Sequence, residues 1–143
     1  YEDIRILFAE DSGIMRKSIS RVMKDNGFEN ITACSDGQQA WDTIQAKRSE
    51  QGGPFDLVIT DIEMPRMDGL TLTSKIKQDP QLKNIPVVIY SSLIGDNNLL
   101  RGQKIGADAQ VGKPESEEMI KAIESCLQKR MSQSIEEEPS PVS

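Results

Sequence analysis

The chain has 143 residues, 36% of them hydrophobic and 28% charged, with a formal net charge of −6, which suits one domain with a single sizeable core and a well-solvated surface. No Lys/Arg run is long enough to track phosphates, no basic-plus-apolar secretion signal opens the chain, and no apolar stretch approaches the roughly 20 residues that span a bilayer, so direct nucleic-acid binding and membrane insertion are not expected. There is no histidine and only two cysteines, which removes Ser-His and Cys-His triads, His-ligated metals and any phosphohistidine formed within the chain, and leaves Cys34 and Cys126 as buried free thiols in a reducing cytosol.

The predicted elements alternate. Ile4 to Ala9 reads as a strand, and Ser12 then caps a helix with Met15, Ile19, Val22 and Met23 on one face, ended by Gly27. Asn30 to Ala33 is a short second strand, Asp36-Gly37 a turn, and Gln38 to Lys47 a helix burying Ala40, Trp41 and Ile44. Asp56 to Thr60 follows the breaker Gly52-Gly53-Pro54 as a third strand; a helix from Gly69 to Asp79 buries Leu72 and Ile76 and stops at Pro80. Val87 to Tyr90 is the fourth strand, Asn97 to Ile105 a helix, Ala109 to Val111 a weak fifth strand, and Ser116 to Met131 an amphipathic helix with Met119, Ile120, Ile123 and Leu127 inward. Residues 132–143, SQSIEEEPSPVS, are polar, acidic and twice interrupted by proline, so a disordered tail is expected after a domain of residues 1–131. The start at the first strand suggests a fragment of a longer protein.

Strands that are nearly continuous in apolar residues and alternate with helices imply an α/β fold: a doubly wound (βα)5 parallel sheet with helices on both faces. Ligands of such sheets bind outside the carboxyl ends of the strands. There the sequence puts Glu10-Asp11 after strand 1, Asp61 after strand 3, Ser91-Ser92 after strand 4 and Lys113 after strand 5. Three clustered carboxylates repel unless a cation is present, so a hard divalent metal with oxygen ligands is implied, Mg2+ before others, beside a hydroxyl and an ammonium able to cradle phosphoryl oxygens.

Glu10-Asp11, Asp61 followed by MPRMDG, Ser91, and Lys113-Pro114 resemble the receiver domain of two-component response regulators, the flavodoxin/CheY-like fold, over residues 4 to about 130. The resemblance implies a five-stranded sheet in the order 2-1-3-4-5, with Asp61 as phosphoacceptor. Glu10 and Asp11 become the metal-binding acid pair, Asp11 foremost, joined by Asp61 and the backbone carbonyl of Glu63. Ser91 becomes the switch hydroxyl and Lys113 the phosphate-pairing lysine, often before a cis proline. It further implies Mg2+ as cofactor, a CheA-like histidine kinase as phosphodonor, a cytoplasmic location, and no enzyme activity beyond the chain's own phosphorylation and dephosphorylation. Glu63 and Leu93 resemble positions that tune hydrolysis, and Asn98, Arg101, Gln110 and Lys121 fall on the family's output face. Asp68 and Gly69 read as turn and helix start, and Met64, Met67 and Trp41 as packing residues.

One position departs from the pattern. Where the family usually carries an aromatic, three residues before Lys113, this chain has Gln110, so Ser91, Ser92 and Gln110 form an unusual switch and output set. The stretches Ser91–Ile94 (SSLI) and Gly106–Glu115 (GADAQVGKPE) resemble the receiver half of CheV-type chemotaxis coupling proteins, which implies a CheW-like domain and chemoreceptors as further partners. Other readings are a stand-alone CheY-like regulator, a pseudo-receiver that is never phosphorylated, and a hydrolase of the haloacid dehalogenase kind. The last usually has an aspartate two residues after its nucleophile, where this chain has Glu63.

Overall fold

The computed structural model describes residues 1–93 and 95–137, with side chains through residue 130. Ile94, which closes the Ser91–Ile94 stretch, and residues 138–143, the end of the expected tail, lie outside the described residues.

Strands β1 (Arg5–Ala9), β2 (Asn30–Cys34), β3 (Leu57–Thr60), β4 (Val87–Ser91) and β5 (Ala109–Gly112) alternate with helices α1 (Gly13–Asp25), α2 (Gly37–Ala46), α3 (Gly69–Gln78), α4 (Asp96–Lys104) and α5 (Ser116–Glu137). The strands form one sheet in the order β2-β1-β3-β4-β5, every neighbouring pair parallel. Because right-handed crossovers cover both faces, the central strands must be apolar on both sides. RILFA, LVIT and VVIYS are accordingly buried almost throughout, whereas the edge strands NITAC and AQVG are partly exposed.

Alternation along β1 divides the interior. Ile6 and Phe8 join Leu57, Ile59, Val88 and Tyr90 beneath Ile19 and Met23 of α1 and Met119, Ile123 and Leu127 of α5. Leu7 and Ala9 join Val58 and Val87 on the opposite face, under Ala40 and Ile44 of α2 and Leu72 and Ile76 of α3. α4 stands apart from both, above a small cluster of Ile62, Leu70 and Ile89 with Ile105 and Ala107 at its edge. Three helices are capped by local acceptors: Ser12 takes a hydrogen bond from the Met15 N–H, Asp36 from Gln39 and Asp68 from Thr71.

Some elements differ from expectation. Trp41 is half-buried at the rim of the second cluster rather than enclosed, with the Lys75 ammonium 5.4 Å from its ring centroid. β4 and β5 run one residue further, so Ser91 and Gly112 pair inside the sheet. α5 continues past Met131 to Glu137, because Ser132 to Glu137 contains neither proline nor glycine and nothing stops the helix before Pro139. The expected tail is therefore helical in its first part.

Arg48, just beyond α2, clamps the α3–β4 connection: its guanidinium donates to Asp79 Oδ1 at 3.2 Å, to Gln81 Oε1 at 2.9 Å, and closely to Asp79 Oδ2. The Arg48 hydrogen bond is the chief cause holding the Asp79 carboxyl below its ordinary value of 3.8. A depressed carboxyl stabilises the fold above that value, and the stabilisation disappears as pH falls through the lower, folded value. Arg48→Met is expected to lower the unfolding free energy by about 1 kcal/mol at neutral pH in urea titrations, the pair being partly solvated. The difference from wild type should shrink once the pH drops below the ordinary value of 3.8.

Candidate functional site

The carboxyl ends of β2, β1 and β3 are strapped together before any side chain acts. Asp61 N–H donates to the Ala9 carbonyl and Glu10 N–H to the Cys34 carbonyl, each at 3.0 Å, extending the parallel ladder by one residue. Gly69 sets how closely α3 approaches this end. A methyl group there would overlap the Asp61 carbonyl oxygen, and Gly69 N–H bonds the Ile62 carbonyl at 2.7 Å, so the helix start rests on the backbone of Asp61.

On this frame Glu10, Asp11 and Asp61 each offer a carboxylate oxygen, all within 4.8 Å of one another. Glu10 is 1% exposed and Asp61 8%, whereas Asp11 faces solvent. Lys113 reaches in from the end of β5, pairing with Asp61 Oδ2 at 2.9 Å and closely with Glu10 Oε1. Backbone N–H groups take up other oxygens: Ile62 donates to Asp61 Oδ1 at 2.7 Å and Ser12 to Glu10 Oε2 at 3.1 Å. Burial raises the Glu10 carboxyl above its ordinary value, against the opposing pull of Lys113. Burial presses the Lys113 ammonium down, but its bonds to Glu10 and Asp61 prevail and hold it above its usual value. Three carboxylates against one ammonium leave −2 (−3 + 1), and the donors are all oxygens. That charge and donor set fit a hard divalent cation.

Ser91, wholly buried, ends β4 with its carbonyl accepting from Lys113 N–H at 3.0 Å and its hydroxyl from Leu93 N–H at 3.1 Å. Asp11, Asp61, Glu63, Met64, Pro65, Ser92 and Leu93 line a cleft of about 430 Å³ over the acids. Glu10, Asp11, Asp61, Ser91 and Lys113 thus converge from four strand ends, and Glu63 and Ser92 border the same opening. Gln110 does not share it: its side chain lies lower on β5, beneath α4. The Lys113-Pro114 peptide is cis.

Asp36 and Arg66 belong to the site's support, although the sequence reading gives Asp36 only a turn and Arg66 no role. Arg66 has φ +68°, a left-handed backbone unusual for a side chain, and its guanidinium grips the buried Asp36 carboxylate at 2.9–3.2 Å. Gly37 N–H bonds the Met67 carbonyl at 3.1 Å. The loop carrying Glu63 to Pro65 is therefore fastened to the start of α2. The only signal in the sequence was a basic residue inside MPRMDG, and its partner lies 30 residues away.

Residues 6–124 match the family model "Response regulator receiver domain". The chain is 34% identical over 112 residues to a gliding motility regulatory protein of Myxococcus xanthus, covering 78% of this chain and 14% of that protein's length. It is 27% identical over 118 residues to chemotaxis protein CheY1 of Helicobacter pylori, covering 82% of this chain and 91% of that one. The solved structure of Vibrio cholerae chemotaxis protein CheY4 superposes with a TM-score of 0.75 at 26% identity, over 87% of this chain and 98% of that one.

Substitutions at Lys113, Glu10 and Arg66 probe the support. Lys113→Met strands Glu10 and Asp61 as an uncompensated buried pair and is expected to cost about 3 kcal/mol in urea denaturation without divalent cations. Adding Glu10→Gln should recover part of that loss. At Arg66, alanine loses the ion pair and keeps the left-handed strain, while glycine loses only the ion pair, so Arg66→Gly should be about 1 kcal/mol more stable than Arg66→Ala in the same measurement.

Proposed function

The chain belongs to the response regulator receiver domain family of two-component signalling, with CheY proteins among its relatives, and from that premise we propose that it accepts a phosphoryl group from a histidine kinase onto Asp61. The observation that carries this reading is the Asp61 carboxylate, grouped with Glu10 and Asp11 within 4.8 Å and bonded to Lys113 at the floor of an open cleft.

Receiver domains bind Mg2+ at an acidic pocket, and Asp11, Asp61 and Glu10, with the Glu63 carbonyl, are the groups that would hold it here. When bound, the ion supplies positive charge to phosphoryl oxygens. The chain's own residues do the rest. Asp61 is held by Ile62 N–H and Lys113, so its orientation is fixed before the donor arrives. One of its oxygens attacks phosphorus as the bond from phosphorus to the donor imidazole nitrogen breaks; the electron pair returns to a ring already protonated on its other nitrogen, leaving an acyl phosphate on Asp61 and a neutral imidazole on the kinase. Imidazole leaves without general-acid help, so positioning and charge compensation suffice. Lys113 can exchange its carboxylate partners for the arriving phosphoryl oxygens, and the Ser91 hydroxyl, at the adjoining strand end, can follow them inward.

The likeness to chemotaxis proteins CheY1 and CheY4, together with SSLI and GADAQVGKPE, supports a chemotaxis role of the CheV type in the cytoplasm, with a CheA-like kinase as donor and a CheW-like domain and chemoreceptors as further partners. Among the described residues no helix is long and apolar enough to cross a membrane. A stand-alone CheY-like regulator is the second reading, in line with the 27% identity to CheY1. A pseudo-receiver draws its support from Gln110.

Incubated with Mg2+ and acetyl phosphate, wild type should gain one alkali-labile phosphoryl group by intact mass, and Asp61→Asn none. No uptake by wild type alongside an active receiver would refute the phosphoacceptor reading. Uptake by Asp61→Asn would move the acceptor elsewhere.

A further inference from the structure

α4 is held differently from the other helices. Its one buried residue is Gly102, its N-terminus has no side-chain cap, and its leucines are unburied, Leu100 being 54% exposed. Beneath it lies Gln110 of β5, in register with Ile89 of β4. The Gln110 amide Nε2 donates to the Leu99 carbonyl at 3.0 Å, while its Oε1 is buried with no partner. A methyl group at residue 102 would overlap the amide, with Nε2 2.7 Å away. The amide thus occupies a notch that only glycine leaves open.

We propose that Gln110 is the positioning residue of α4, its amide serving as both seat and tether, with Gly102 as the matching notch. An apolar anchor would resist lifting in proportion to its buried area, but this seat resists mainly through one hydrogen bond. Docking of α4 therefore depends on the Gln110 tether, which biases it. The bias reaches the acidic cleft through the loop before α4. Asn98 Nδ2 of α4 donates to the Leu93 carbonyl at 2.6 Å, and Leu93 with Ser92 forms one wall of that cleft. Only this link to signalling rests on the phosphoacceptor reading; the seating of the helix does not.

Amide hydrogen exchange on the 143-residue protein without phosphodonor tests the proposal. Gln110→Ala should speed exchange of the α4 amides by about tenfold, leaving α1 and α5 unchanged. The sign of Gly102→Ala is the sharper reading. Alanine normally firms a helix, yet here it should speed α4 exchange in wild type, because it expels the amide, and slow it in the Gln110→Ala background, where the notch is empty. Slower exchange of Gly102→Ala in the wild-type background, or an unchanged α4 in Gln110→Ala, overturns the proposal. Should Gly102→Ala fail to fold, Gln110→Ala decides alone. Phosphoryl uptake is read separately by mass, so its failure would sink the phosphoacceptor reading and leave the exchange result standing.

Discussion

The ammonium of Lys113 stands between the carboxylates of Glu10 and Asp61, and the carboxyl end of the sheet is organised around that contact. Two buried anions a few ångströms apart cannot both stay charged in a poorly polarisable surrounding without a cation. The lysine comes from the edge strand farthest from β1, separated from it by β3 and β4, so the pairing closes the rim across three strand boundaries. Hydrogen bonds prepare this closure: Asp61 to Ala9, Glu10 to Cys34 and Lys113 to Ser91 each prolong a ladder by one residue, delivering side chains at fixed heights.

Much of this was legible in the sequence because it is local. An acid directly after a buried strand marks a strand end whatever the rest of the chain does, and in a parallel sheet all such ends lie on one rim. Glu10, Asp11, Asp61, Ser91 and Lys113 therefore fall together once five strands are recognised. Helix starts were legible for the same reason, since Ser12 and Asp68 cap the turn that follows them. What escaped depends on distance in sequence or on small volumes. Arg66 meets Asp36 across 30 residues, and the left-handed backbone that aims it has no trace in composition. Trp41 has helical spacing but sits where α2 turns toward solvent, a matter of helix rotation that periodicity cannot fix to one residue.

Gly69 and Gly102 do similar work at opposite corners. Each lets a helix come so close to polar groups below it that a single methyl would intrude: the Asp61 carbonyl in one case, the Gln110 amide in the other. The contacts differ in consequence. Gly69 rests on backbone, which cannot yield, and so fixes the end of β3. Gly102 rests on a side chain with rotatable bonds, and so allows a choice of positions.

The interior consists of two large clusters on opposite faces of the sheet and a third, small one below α4. Most of the apolar burial, and with it most of the resistance to unfolding, belongs to the first two. A change at Leu100, Arg101 or Gln103 on α4 leaves both untouched. Variation on that surface therefore spares the fold, whereas the same freedom on α1 or α5 would erode the core. Stability and the chemistry of the α4 surface draw on different parts of the molecule, so one can change without the other.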